Sequence, residues 1–118
     1  MQYTVVKGKK LGRKIGFPTM NLEPAKLSQE LDYGVYTCEV LLVSEKNIYS
    51  GILHFGPRKT LNDEIISLEI HLFDFKKEVY GEKVKLKIGE KIRGIQKFEN
   101  LDELKKQIEL DIAKVKCE

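Results

Sequence analysis

Residues 35–55, VYTCEVLLVSEKNIYSGILHF, decide the fold of this chain. Two runs rich in β-branched and apolar residues, 35–43 and 48–55, flank a short polar segment at 44–47. Such runs separated by a polar turn are typical of antiparallel strands. Three further segments have the same character: 3–7, 65–73 and 84–88. The sequence therefore predicts about five short strands.

The C-terminal segment changes to a helical period. Apolar residues recur there at three- and four-residue steps, at Leu101, Leu104, Ile108, Ile112 and Val115. This spacing predicts one amphipathic helix, and Asn100 with Glu103 forms a variant of a capping box at its start. Strands followed by a helix favour a mostly β protein, a small antiparallel barrel with a C-terminal amphipathic helix packed on it.

The composition is that of one globular domain, 1–118. Of the 118 residues, 42% are hydrophobic and 33% are charged, a typical balance for globular proteins. The 21 Lys and Arg residues against 18 Asp and Glu give a net charge of +3, which favours anionic ligands without requiring nucleic acid. Because no membrane-length apolar run or signal-peptide pattern occurs, we expect a cytoplasmic protein that does not bind membranes. We also expect a monomer that does not bind nucleic acid.

The segment 8–21, GKKLGRKIGFPTMN, joins a glycine-rich basic loop to a rigid polar end. Its spaced glycines would let backbone N–H groups approach an anion, and Arg13 adds charge. Spacing alone leaves simple turns between strands as an equally good interpretation. The end of the segment favours the anion site, because Thr19 and Asn21 offer neutral oxygens that can complete a Mg²⁺ octahedron with ATP phosphates and waters. It is not a Walker A loop.

A second candidate lies in segment 68–74, LEIHLFD. Strand alternation puts Glu69, His71 and Phe73 on the face opposite Leu68, Ile70 and Leu72. Glu69 is either a solvent-facing carboxylate or a base that deprotonates an attacking hydroxyl. Hydrogen bonding within the barrel is the simpler role for His71. The histidines and cysteines show no zinc-type spacing.

A third candidate is the basic segment 91–98, KIRGIQKF. It is either a solvated turn that leads into the helix or a mobile flap. In a flap, Gly94 would be the pivot, Arg93 an anion or ring partner, and Phe98 an apolar lid.

These segments, in this order, resemble the riboflavin kinase (flavokinase) family, which makes FMN with ATP. Segment 8–21 is similar to the family signature GxxxGRxxGFPTxN, and segment 68–75 resembles its Glu-x-His strand. GVY at 34–36, YG at 80–81 and the QI…D pattern at 107–111 also resemble the family. The resemblance covers nearly the whole chain and implies a six-stranded Greek-key barrel. It also implies that the protein uses Mg²⁺ as a cofactor and ATP as a co-substrate.

The resemblance also implies roles for individual residues. Glu69 would be the catalytic base against the ribityl 5′-hydroxyl of riboflavin. Thr19 and Asn21 would be Mg²⁺ ligands. The positions implied for ATP are Gly8, Arg13, Thr19, Leu72, Asp74 and Tyr80. The positions implied for the flavin are Arg93, Gln96 and Phe98.

Four residues differ from the family pattern: His54, where the family often has Asn, together with Lys59, Leu61 and Ile95. They favour, as an alternative, a flavin- or nucleotide-binding module that has lost turnover. A basic nucleic-acid-binding barrel is a weaker alternative, because Lys85 and Lys87 have no aromatic residue near them in the strand. The family's fused FMN adenylyltransferase domain does not fit in 118 residues, so we expect no FAD synthesis.

Overall fold

The computed structural model describes residues 2–6, 19–27, 30–58, 63–75 and 79–116. These residues form six strands and one α-helix: β1 (Gln2–Thr4), β2 (Met20–Leu22), β3 (Gly34–Leu42), β4 (Asn47–Arg58), β5 (Asp63–Leu72), β6 (Lys83–Arg93) and α1 (Leu101–Lys116). A 3-10 turn, Pro24–Lys26, follows β2.

The strands form one antiparallel sheet in the order β1-β6-β3-β4-β5-β2. Its two edges meet where Val6, just after β1, donates its backbone N–H to the carbonyl of Asn21 in β2, at 2.8 Å. This bridge nearly closes the sheet into a barrel and covers strand edges that would otherwise be exposed. The predicted six-stranded antiparallel barrel with a C-terminal helix is confirmed.

Alternate residues of each strand fill the interior of the barrel. On β5, Leu68, Ile70 and Leu72 are buried in the core, so Glu69 and His71 lie on the outer face, as the alternation predicts. Among the described residues, the largest fully buried side chains are Leu42, Leu53, Leu68, Ile70, Val40 and Val84. Burial, with a smaller contribution from Glu39, raises the pKa of the Cys38 thiol to about 12, which makes that thiol unreactive at neutral pH.

β1 ends at Thr4 rather than at residue 7, and β4 continues to Arg58. Two further strands differ more from the sequence prediction. β2 is a three-residue strand that local patterning did not indicate. β6 continues past residue 88 to Arg93, although the apolar alternation stops at Gly89. Its pairing with β3 shifts register around Thr37, where the Thr37 hydroxyl oxygen accepts a hydrogen bond from the backbone N–H of Glu90 at 2.9 Å. The side chain of Thr37 therefore helps to bridge this irregularity.

The capping box at the start of α1 is confirmed. The Asn100 side-chain oxygen accepts a hydrogen bond from the backbone N–H of Glu103 at 2.9 Å, and the Glu103 carboxylate accepts one from the N–H of Glu99 at 3.2 Å. Leu104 anchors the apolar side of the helix together with Phe98 and other residues of the same cluster. Among the described helices, none has the length and apolar character needed to cross a membrane.

Candidate active site

Two candidate residues face each other on the outer surface of β2 and β5. Asn21 lies directly opposite Glu69 in the register of these strands. Opposed residues of an antiparallel pair point to the same face, with Cβ atoms about 4.5–5.5 Å apart. Thr19 lies two positions before Asn21, immediately ahead of β2. The fold therefore brings the amide of Asn21, a candidate metal ligand, next to the candidate base, and strand alternation puts Thr19 on the same face as Asn21.

Glu69 is buried although it lies on the outer face. Its side chain is 5% exposed, and its Oε2 atom is shielded from water. The interpretation of Glu69 as a solvent-facing strand residue is therefore wrong. Burying a carboxylate costs free energy of folding. Its presence at this position is consistent with a functional role.

The row that contains Asn21 and Glu69 continues across three more strands. His54 of β4 lies opposite Glu69, Val35 of β3 opposite His54, and Arg93 of β6 opposite Val35. Neighbouring strands are about 4.8 Å apart. The residue implied for the flavin, Arg93, thus lies at one end of the row and the residue implied for Mg²⁺, Asn21, at the other, with Glu69 and His54 between them.

Arg93 is held by a buried carboxylate of α1. Its Nε atom donates to both oxygens of Asp111, at 3.1 and 3.2 Å, and its terminal nitrogen lies 3.0 Å from Oδ2. Gln107 donates to the same carboxylate at 3.0 Å. The Arg93 side chain is 16% exposed and that of Asp111 is 4% exposed. This pair fixes the helix to the end of β6, where the segment 94–98 begins.

We expect Asp111→Asn to lower the free energy of unfolding by about 2 kcal/mol, the scale of a lost hydrogen-bonded charge. Asparagine keeps the shape of the side chain but leaves the largely buried Arg93 without its counter-ion. Urea denaturation monitored by circular dichroism measures the change. The control is Lys26→Gln, which removes an exposed pair with Glu23 at 3.9 Å and should cost less than about 0.5 kcal/mol. Equal stability of the two variants would contradict the role of Asp111 as the counter-ion that holds Arg93.

The segment that follows β6 packs against the end of β4. Gly56 has a φ of +136°, and a side chain at that position would lie 3.1 Å from Tyr33 and 3.3 Å from Ile95. Tyr33 also contacts Phe55 edge-on, with ring centroids 5.3 Å apart. Ile95, in the segment after β6, thus lies close to Gly56 and to the aromatic pair of Tyr33 and Phe55.

The other two residues implied for the flavin differ in their surroundings. Phe98 packs with Leu104 and has the Arg93 guanidinium 5.9 Å from its ring centre. Gln96 is exposed. Gly94 has open space where a side chain would be, so packing around it does not prevent a pivot there.

The three described residues implied for the nucleotide have different environments. Leu72 lies in the core, so any contact between it and a nucleotide would have to come from its backbone. Asp74 has a left-handed φ of 57°, and its exposed carboxylate lies 3.9 Å from Lys116. Tyr80 is exposed in the turn before β6. Of the other positions implied by the resemblance, Gly8, Arg13, Lys59 and Leu61 lie outside the described residues.

Sequence reasoning noted Asp111 and His54 but gave neither residue a role in this site. Asp111 lies seven residues after Leu104 and three after Ile108, so it falls on the apolar stripe of the helix. A carboxylate on that stripe was the signal that it has a buried partner. His54 lies on the outer face of β4, but only the register with β5 places it beside Glu69. Within the described part of the chain, no group of three or more His, Cys, Asp or Glu residues could hold a metal ion.

The chain is similar to known riboflavin kinases. It is 42% identical over 113 residues to the bifunctional riboflavin kinase/FMN adenylyltransferase of Haemophilus influenzae, covering 96% of this chain and 36% of that protein. It is 44% identical over 111 residues to the RNA-binding riboflavin kinase RibR of Bacillus subtilis, covering 93% of this chain and 46% of that protein. The chain thus spans between a third and a half of the length of these relatives.

The fold has a counterpart among solved structures. A crystal structure described as a macrolide-efflux protein from Streptococcus pneumoniae matches with a TM-score of 0.81 and 31% identity, over 95% of this chain and 36% of that one. The Flavokinase family model, described as riboflavin kinase, matches residues 1–117. From this match over nearly its whole length, the chain belongs to the riboflavin kinase (flavokinase) family.

Proposed function

We propose that this chain, as one module over residues 1–118, is an ATP-dependent riboflavin kinase. It transfers the γ-phosphoryl group of ATP to the 5′-hydroxyl of riboflavin and releases FMN and ADP. The observation that carries the proposal is the position of Asn21 directly opposite the buried Glu69, because these residues are the proposed metal ligand and the proposed base. Membership of the flavokinase family supports the choice of substrates.

Glu69 acts as the general base in this reaction. Its carboxylate accepts the proton of the ribityl 5′-hydroxyl while that oxygen bonds to the γ-phosphorus and the bond to the β–γ bridging oxygen breaks. Phosphoryl transfer depends mostly on positioning and charge stabilisation, so a carboxylate of ordinary basicity is adequate. Burial of Glu69 limits competing water and holds the side chain in place.

The residues beside Glu69 fit a magnesium ion. The Asn21 amide and the Thr19 hydroxyl are hard, neutral oxygen donors, which suit Mg²⁺ when phosphates and waters supply the remaining ligands. We infer that these two residues hold the ion and that Thr19 also contacts ATP. When bound, Mg²⁺ would neutralise charge on the transferred phosphoryl group.

The remaining residues bind the two substrates. Gly8 and Arg13 contact the ATP phosphates, and Leu72, Asp74 and Tyr80 line the nucleotide. Arg93, Gln96 and Phe98 form the flavin side. The row from Asn21 to Arg93 supports this division, because it puts Glu69 between the proposed ATP end and the proposed flavin end.

We further propose that the protein works in the cytoplasm as a monomer, on small molecules rather than on nucleic acid. The surroundings of two lysines in β6 support the proposal that the protein does not bind nucleic acid. Lys85 lies opposite Gln2 and Leu41, and Lys87 lies opposite Glu39. Nucleic-acid-binding barrels combine cations with aromatic residues on one face, and none of these opposed residues is aromatic.

The decisive experiment incubates the purified protein with riboflavin and MgATP and separates FMN from riboflavin by chromatography. We expect FMN and ADP to form in equal amounts, because one phosphoryl group is transferred per turnover. Riboflavin binding is measured in parallel by quenching of flavin fluorescence. Binding without FMN formation would refute the kinase and support the non-catalytic binding module.

A further inference from the structure

Glu69 has two cross-strand neighbours, and the proposed metal site uses only one of them. Asn21 lies opposite Glu69 on the β2 side, and His54 lies opposite it on the β4 side. Directly opposed residues have Cβ atoms about 4.5–5.5 Å apart, and both an imidazole and a carboxylate extend well beyond Cβ. His54 is therefore within reach of the carboxylate.

The burial of Glu69 and of one ring nitrogen of His54 makes this neighbour important. Glu69 is 5% exposed, and neither its Oε2 atom nor the Nδ1 atom of His54 is accessible to water. A buried carboxylate is stabilised most by a charge-assisted hydrogen bond from a nearby N–H group. A histidine ring supplies such a donor in its neutral form and in its protonated form.

The other histidine is in a different position. His71 lies two residues from Glu69 on the same face of β5, but it is opposed by Ile52. Its ring faces Phe73, with centroids 6.2 Å apart. The register therefore assigns the position beside the carboxylate to His54.

We propose that His54 is a positioning residue for Glu69. Its ring N–H donates a hydrogen bond to the Glu69 carboxylate and holds the other carboxylate oxygen toward the riboflavin hydroxyl. Proton abstraction requires a base within hydrogen-bond reach, so loose orientation of the carboxylate lowers kcat. The inference rests on the proposed kinase function, and it gives a role to a residue at which this chain departs from the common family pattern.

The test compares an apolar variant and a conservative variant of His54. We expect His54→Leu to lower kcat about ten- to a hundredfold, the scale of a lost hydrogen bond to a charged group. The KM values for riboflavin and ATP should stay within about threefold, since ground-state binding is not affected. His54→Asn retains an N–H donor and should recover kcat to within about threefold of the wild type. His54→Val, which suits a strand, replaces the leucine variant if that variant fails to fold.

A double-mutant cycle separates positioning from a structural role. If His54 acts through Glu69, then His54→Leu should have little further effect on kcat in a Glu69→Gln background. Ser50→Leu, on the same strand at an exposed position, controls for adding an apolar side chain to β4. Thermal unfolding confirms that each variant is folded.

Two results would overturn the proposal. One is a kcat of His54→Leu within about threefold of the wild type. The other is an equal loss from His54→Leu in both backgrounds, which would indicate a structural effect. In either case the wild-type protein would still form FMN, so these results are distinct from failure of the kinase proposal.

Discussion

Replacing Glu69 with glutamine is expected to reduce FMN formation about 10²–10⁴-fold, the usual contribution of a general base. Glutamine is nearly isosteric and can still accept a hydrogen bond through its carbonyl oxygen. It cannot accept the proton that leaves the 5′-hydroxyl. Because the transition state of phosphoryl transfer is loose, this proton moves late, and the carboxylate is needed when the new bond to phosphorus is nearly complete.

Single-turnover FMN formation at saturating MgATP measures the effect on the chemical step. Riboflavin binding and thermal unfolding should change little, because the substitution keeps the volume of the side chain. Glu39→Gln is the matched control, since Glu39 is an exposed carboxylate on the outer face of β3 and should leave the rate unchanged. If Glu69→Gln is within about threefold of the wild type, Glu69 is not the base, and His71 on the same face becomes the next candidate.

Local patterns predicted those parts of the fold that are determined by local interactions. The β3–β4 hairpin follows from two apolar runs around a polar turn, and α1 follows from its three- and four-residue period and the Asn100 cap. The short strand β2 could not be predicted in this way. Its three residues are defined by pairing with β5 and by the bridge to Val6, and both partners are distant in sequence.

The site, like the fold, was predictable from the sequence only where it depends on local pattern. Alternation placed Glu69 on the outer face of β5, but its burial and its two neighbours depend on the register of three strands. Register is fixed by long-range packing and turn geometry, which a single strand does not encode. The pairing of Arg93 with Asp111 was missed for the same reason, since it depends on where the helix packs against the barrel.

The burial of Glu69 also affects how the departures from the family pattern are interpreted. His54 was grouped with Lys59, Leu61 and Ile95 as a change that could impair turnover. The register makes it a neighbour of Glu69, the proposed base, and histidine can donate a hydrogen bond as an asparagine amide does. Ile95 lies beside Gly56 and Tyr33, where an apolar residue can pack. Neither change, in its structural setting, favours a loss of activity.

Removing either neutral oxygen of the proposed metal site is expected to lower kcat about a hundredfold or more, the scale of losing one electrostatic stabiliser. The variants are Thr19→Ala and Asn21→Ala. Each should also raise the Mg²⁺ concentration needed for half-maximal activity, because fewer protein ligands hold the ion. Riboflavin binding should change much less, since the proposed flavin end of the row lies at Arg93, across the sheet from Asn21. Excess EDTA should abolish FMN formation by the wild-type protein.

A Mg²⁺ titration at fixed ATP makes this prediction quantitative. Asn47→Ala is the control for Asn21→Ala, because Asn47 is an exposed amide at the start of β4, far along that strand from the row with Glu69. It should leave both kcat and the Mg²⁺ requirement unchanged. The backbone carbonyl of Asn21 accepts the closing hydrogen bond from Val6, and alanine retains that carbonyl, so the barrel should stay closed in the variant. Wild-type turnover of either site variant at low Mg²⁺ would therefore place the metal elsewhere, without an ambiguity from loss of the fold.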